Sequence, residues 1–178
     1  MKKDIKKIFF RYLIILIAGL GNLVLFYKFL TPLTVHSVGG ILSIFTQTVI
    51  KNSTIYLREL EIQIIPSCVA GSAFYLLFIL NLTTRKIKAN KRIKILLVSF
   101  ASLFVLNLSR ILILIAINKK PYFESVHWIF WNLISIVFIA GIWIAMTKIY
   151  KIREIPVYSD VKYLINTRKK SKKRKKHK

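Results

Sequence analysis

ILLVSFASLFVLNLSRILILIAI, residues 95–117, is an apolar run of 23 residues interrupted by one arginine, Arg110. At about 1.5 Å per residue, a helix of that length spans the ~30 Å hydrocarbon core of a bilayer. An arginine inside it costs about 3 kcal/mol on insertion scales, so it is expected to face a polar cavity and to have a task there. Asn107 lies three residues earlier on the same helical face, where it can orient the guanidinium or bond a neighbouring helix. The plainer alternative is an arginine that only snorkels to the headgroups.

The rest of the chain repeats this pattern. Of its 178 residues 55% are hydrophobic, yet the net charge is +24, from 30 Lys and Arg against 6 Asp and Glu. A water-soluble globule does not readily combine the two, whereas segregation into long apolar runs with basic clusters between them does. Three further runs qualify as spans: about 8–30 (IFFRYLIILIAGLGNLVLFYKFL), 66–83 (PSCVAGSAFYLLFILNLT) and 127–147 (HWIFWNLISIVFIAGIWIAMT). The predicted fold class is an all-α integral membrane protein with four transmembrane helices. Residues 1–147 form the polytopic membrane domain, and the basic tail 148–178 is expected to be disordered by self-repulsion.

Charge orients the bundle. Lys2, Lys3, Lys6, Lys7 and Arg11 crowd the first segment, RKIKANKRIK fills 85–94, and the tail from Lys148 is rich in lysine. The other connections carry few cations. The positive-inside rule therefore puts both termini and the 85–94 loop in the cytoplasm, an N-in/C-in arrangement in the cell membrane. MKKDIKK before the first run could be taken for a secretory leader. The run is too long and lacks a small-x-small cleavage site, so a retained anchor is expected.

Residues 31–65 then lie on the extracytoplasmic side. Val38, Ile41, Leu42, Phe45 and Val49 have the spacing of a short amphipathic helix. Leu60, Ile62 and Ile64 alternate with Glu61 and Gln63, the period of a half-buried strand. With TIYL before it, a small β-hairpin turning near Arg58 and Glu59 is expected, ending at Pro66.

On the same side, three helices present reactive groups: Cys68 at the mouth of the second, Arg110 about 10 Å below the end of the third, and His127 opening the fourth. A helix N-terminus and a nearby cation favour a thiolate, although a lone cysteine is commonly a small hydrophobe in the core. Ala70, Gly71, Ser72 and Ala73 keep the surroundings of Cys68 open, as they would at an ordinary helix contact. Trp128 and Trp131 have the placing of interfacial anchors around His127, which can exchange protons near neutral pH. His36 is a second extracytoplasmic histidine that could compete for that role, and His177 is excluded by side. A metal site would need Glu59, Glu61 and Glu124 to complete one cysteine and two histidines, so no metal or cofactor is called for. The basic tail is expected to grip anionic lipid rather than nucleic acid.

Cys68 at a helix start, Asn107-x-x-Arg110 in the next helix and His127 opening the one after resemble the exosortase/archaeosortase family of membrane cysteine transpeptidases. The likeness covers about residues 50–147 and is strongest to small archaeal members of the pacearchaeosortase type. The family usually has Ser or Thr and then Gly directly after the cysteine. Here Val69 and Ala70 hold those places, and the glycine comes at Gly71. The resemblance implies a protease or transpeptidase with catalytic Cys68, Arg110 and His127, supported by Asn107. Its substrates would be secreted proteins ending in a short motif, a membrane helix and a basic cluster. Cys68 would form an acyl-enzyme, Arg110 would stabilise the oxyanion or the thiolate, and His127 would serve as acid and base. An amine acceptor, carried on a lipid in some cases, or water would resolve the intermediate. Two other readings stay open: a non-catalytic assembly or scaffold protein that binds lipid or a partner helix, and a channel or transporter subunit using Arg110 as an anion site.

Overall fold

In the computed structural model, residues 2–20, 23–57, 60–130, 132 and 135–176 are described. The chain runs α1 (Lys2–Gly19), α2 (Val24–Ser43), β1 (Val49–Lys51), β2 (Thr54–Leu57), β3 (Leu60–Gln63), α3 (Pro66–Val69), α4 (Gly71–Thr83), α5 (Ala89–Ala116), α6 (Phe123–Ile129), α7 (Ser135–Ile149) and α8 (Tyr158–Lys176). The arginine-bearing run forms α5, whose 28 residues measure about 42 Å end to end. Among the described residues it is the one helix that is clearly long and apolar enough to cross a membrane. Its buried positions Ile95, Ser99, Leu103, Asn107 and Ile111 recur every fourth residue, a single face turned to the bundle. The other face leaves Leu97 63% and Val105 60% exposed. Apolar surface of that kind is at home against lipid and unfavourable in water.

The four-span, all-α architecture does not form, and each of the other three segments departs from a straight span for its own reason. The first apolar segment is shared between α1 and α2, whose axes are bent by 62°. The second is broken at Ala70, leaving α4 with 13 residues, about 20 Å, short of a ~30 Å core. In the fourth, the described α-helices are α6, which ends at Ile129, and α7, which starts at Ser135 and has 15 residues, with Phe130 and Asn132 in π-helical backbone between them. A three-stranded antiparallel sheet in the order β1-β2-β3 also removes the all-α description.

The expected hairpin is β2 and β3, with Ile55 opposite Ile62 and Leu57 opposite Leu60. β1 joins it through a turn at Asn52, whose φ of 56° suits asparagine. Arg58 and Glu59, expected at the β2–β3 turn, lie outside the described residues, as do Trp131 and His177. The predicted amphipathic helix over 38–49 is not a separate element. Val38, Ile41 and Leu42 belong to the last turns of α2, Phe45 is 81% exposed beyond it, and Val49 begins β1. Gly39 allows the sheet to approach α2, since a Cβ there would meet Ile50 Cδ1 at 2.5 Å.

Two apolar clusters result. One joins Phe74, Leu77, Ile95, Leu103, Ile139 and Met146 between α4, α5 and α7. The other joins Val35, Val38, Ile55, Ile64, Val69 and Ile111 between α2, the sheet, α3 and α5. Leu30 of α2 touches both.

The tail forms α8 instead of staying disordered, and one carboxylate explains it. Asp160, 1% exposed, accepts from Arg11 Nη2 at 2.8 and 2.9 Å and pairs with Arg85 Nε at 3.3 Å. Self-repulsion describes the basic residues after it and overlooks this anchor. The same end of the bundle ties off α4. Arg11 Nη1 donates to the carbonyls of Leu82 and Thr84, and Arg92 to those of Asn81 and Thr84. Cations from neighbouring helices thus satisfy carbonyls that a helix C-terminus leaves open.

Candidate active site

Cys68 is not at the start of a long helix. It sits on the one-turn helix α3, with its N–H donated to Ile65 O at 2.9 Å. Ala70 follows with φ 58° and ψ 34°, a left-handed conformation that ends α3 and reorients the chain into α4. In an unbroken helix the carbonyls of Ser67 and Cys68 would point along the axis to residues 71 and 72. Here side chains of α5 meet them. Arg110 Nη2 donates to Ser67 O at 3.1 Å and Cys68 O at 3.3 Å, and Asn107 Nδ2 donates to Cys68 O at 2.8 Å. The buried arginine of the apolar run therefore has its task, which is to hold the cysteine turn against α5.

Arg110 is only 7% exposed. Its Nη1 donates to Ser135 Oγ at 3.3 Å, and that hydroxyl donates to Phe130 O at 3.0 Å. The guanidinium thus ties α3 to the start of α7. Of its five N–H donors, one on Nη1 makes none of these bonds, and Nε is buried without a hydrogen-bond partner. Gly71, one of the small residues expected to keep these surroundings open, admits the Tyr27 ring, with Cε1 at 2.7 Å from where a Cβ would stand.

A cavity of about 370 Å³ opens in front of the turn, with Ser67, Cys68, Arg110, His127, Phe123 and Phe130 in its wall. The three side chains proposed for chemistry from sequence thus share one cleft of the size that holds a small ligand. His127 reaches it from the last turn of α6, not by opening a longer helix. Its ring stacks on Phe123, one turn earlier, with centroids 5.7 Å apart and planes 11° from parallel. Asn107 stands behind the turn, bonded to Cys68 O, and is not in the cavity wall. His36 is exposed on α2 and does not line the cavity either.

The opposite wall is β3. Residues Leu60 to Ile64 all line the cavity, although successive side chains of a strand point to opposite faces. A cleft that touches every residue runs along the edge of the strand. Ile64 N–H donates to Ser53 O at 2.8 Å, so alternate residues Leu60 and Ile62 turn their backbone groups towards β2. Those of Glu61 and Gln63 turn the other way, to the open edge. Glu61 also stands opposite Tyr56 in the register. Its negative charge and a hydrogen bond from the phenol hold Tyr56 above the ordinary tyrosine pKa.

Sequence reasoning missed Ser135, Phe123 and the β3 edge. Ser135 is a polar residue within an apolar run, and Phe123 precedes His127 by four residues; both signals were present. Ala70 gives a prediction. An L-residue in this conformation costs about 1–2 kcal/mol, and glycine loses about 0.4–1 kcal/mol more in chain entropy. Ala70→Gly is therefore expected to raise stability by roughly 0.5–1 kcal/mol, read as a higher thermal midpoint in detergent, and an unchanged or lower midpoint would contradict the strain.

Among the described residues, no three His, Cys, Asp or Glu side chains gather where they could hold a metal ion. No family model matches the chain, and neither a curated protein nor a solved structure does.

Proposed function

We propose that this chain is a membrane-embedded cysteine peptidase or transpeptidase of the exosortase/archaeosortase type, acting on C-terminal sorting signals of secreted proteins. The observation that carries the reading is the convergence of Cys68, Arg110 and His127 on one cavity. The open edge of β3 adds support for a peptide substrate. An extended segment laid along Glu61 and Gln63 gains main-chain hydrogen bonds and leads towards the cysteine turn. Ala70 adds a second line of support, since the family pattern has glycine at the position where this chain adopts φ 58°.

In this mechanism His127 takes the thiol proton as Cys68 Sγ attacks the scissile carbonyl carbon, and the tetrahedral oxyanion takes the remaining Nη1 hydrogen bond of Arg110. His127 protonates the leaving amine as the C–N bond breaks, leaving a thioester on Cys68. It then takes a proton from the incoming amine or water, whose attack releases the product and expels the Cys68 sulfur, and it returns that proton to Sγ to restore the thiol. Arg110 also positions the nucleophile through the Ser67 and Cys68 carbonyls. The cavity opens on the extracytoplasmic side of the cell membrane. This orientation is supported by the lysines and arginines at the other end of α5, which favour the cytoplasmic face. The tail beyond α8's first turns grips anionic lipid.

The scaffold reading draws on the same arginine, whose bonds to Ser67, Cys68 and Ser135 would be needed without any chemistry. Co-expression with a protein bearing a motif, a membrane helix and a basic tail tests the choice, with tail length measured by mass spectrometry. His127→Asn is expected to reduce processing about 10²–10⁴-fold, while His36→Asn leaves it unchanged. Equal losses in the two variants would remove His127 from the mechanism.

A further inference from the structure

A second cavity, of about 1150 Å³, lies at the opposite end of α5 between the start of α1 and the α4–α5 connection. Arg92 and Arg110 are 18 residues apart on α5, which is about 27 Å of helix, so this groove is separate from the cysteine site. Seven of its lining residues are cationic. Four of them are committed to the fold: Arg11 and Arg85 to Asp160, Arg92 to the carbonyls of Asn81 and Thr84, and Lys86 to Glu154. The Lys86 bond also keeps the Glu154 carboxyl below the ordinary range. Lys6, Lys7 and Lys88 are exposed in the wall, and no described carboxylate pairs with them. Among the described side chains, the two acids that serve this end are Asp160 and Glu154, and they leave it positive. Beside the lysines, Phe9 and Phe10 line the same groove and are 68% and 61% exposed.

We infer that this groove binds an anionic phospholipid, with the headgroup phosphate held by Lys6, Lys7 and Lys88 and an acyl chain lying over Phe9 and Phe10. Charge complementarity selects the phosphate. The apolar residues beside it select a ligand with a hydrocarbon body over a free phosphate. The location agrees, because the groove sits at the basic end of the membrane-capable helix, at the level where headgroups meet acyl chains. The site differs from the general attraction of the basic tail in being a defined cleft on α1 and the 85–92 segment.

The test is native mass spectrometry of the full chain, extracted from vesicles of phosphatidylcholine with or without phosphatidylglycerol. Wild type is expected to retain phosphatidylglycerol. Lys6→Gln/Lys7→Gln/Lys88→Gln is expected to lose it about 100-fold, from roughly fivefold per lysine. An isoelectric control, Lys169→Gln/Lys170→Gln/Lys172→Gln in the tail, is expected to keep it. Equal losses in the two triple variants would reduce the effect to net charge and overturn the site, as would failure of wild type to retain the lipid. Should the groove triple variant misfold, Phe9→Asn removes an exposed side chain and is expected to weaken retention by about tenfold while circular dichroism is unchanged; full retention would overturn the acyl contact. Inorganic phosphate is the third arm. If it displaces the lipid at millimolar concentration, the groove takes phosphate itself and the lipid assignment fails.

Discussion

Cys68→Ala is expected to stop tail processing altogether, a loss of about 10⁶-fold if the thiol is the nucleophile, while the protein still inserts and folds. Loss of an attacking atom cannot be made good by binding alone, and the chain has no second cysteine to take over. The fold has little reason to notice the change. Cys68 is only half-buried, and the bonds that secure its turn go to its carbonyl, which alanine retains. The thermal midpoint should move by no more than a change of about 1 kcal/mol implies. Wild type and variant are compared by co-expression with a tripartite-tail protein and by unfolding in detergent. A tail shortened equally in both would end the catalytic reading and favour the scaffold.

Arg110→Met carries the second large effect, because it removes a bridge as well as a charge. Ser67 O and Ser135 Oγ lose their donor, and Cys68 O keeps only Asn107. Each unsatisfied group costs about 1–3 kcal/mol where water cannot replace the partner. Relief of a buried charge offsets part of that, for a net loss of about 2 kcal/mol. Processing should fall about 10²–10³-fold, the usual effect of losing one oxyanion donor, and further if the cysteine turn shifts. Arg110→Lys separates the two contributions. A lysine restores the positive charge without the planar fork that spans two carbonyls. Full recovery of processing by lysine would mean that charge alone matters, and partial recovery supports positioning.

The parts that sequence made legible are those whose signal is local. The run at 95–117 became α5 because length and apolarity need no partner, and the cost of Arg110 announced a polar contact before its partners were known. The alternation of Leu60, Ile62 and Ile64 became β3 for the same reason. The broken second segment was not legible. Nothing in VAGSA marks Ala70 as left-handed, because the reason lies some forty residues away in the donors of Arg110 and Asn107. The first segment did carry a breaker signal, GLGN at 19–22, that overall apolarity outweighed. β1 is three residues long, too short for any period to show. Asp160 was one acid among many cations, and its burial depends on Arg11, 149 residues earlier in the chain, and on Arg85 from its middle. At the site, the residue types and their common end of the bundle could be read in advance. That Arg110 grips backbone, and that His127 arrives on a short helix stacked against Phe123, could not.

From a single helix, Arg92 braces the C-terminal end of α4 and Arg110 braces α3, the turn that precedes α4. Their spacing of 18 residues is about five whole turns, so both guanidiniums leave α5 on the side that meets α3 and α4. One residue added or lost between them would swing one brace by about 100° and lift it by about 1.5 Å, leaving a set of carbonyls open at one end. The interval is therefore a gauge block: it sets the height of the cysteine turn above the lysine-rich end, and in the proposed chemistry a peptide carries its scissile bond to that height.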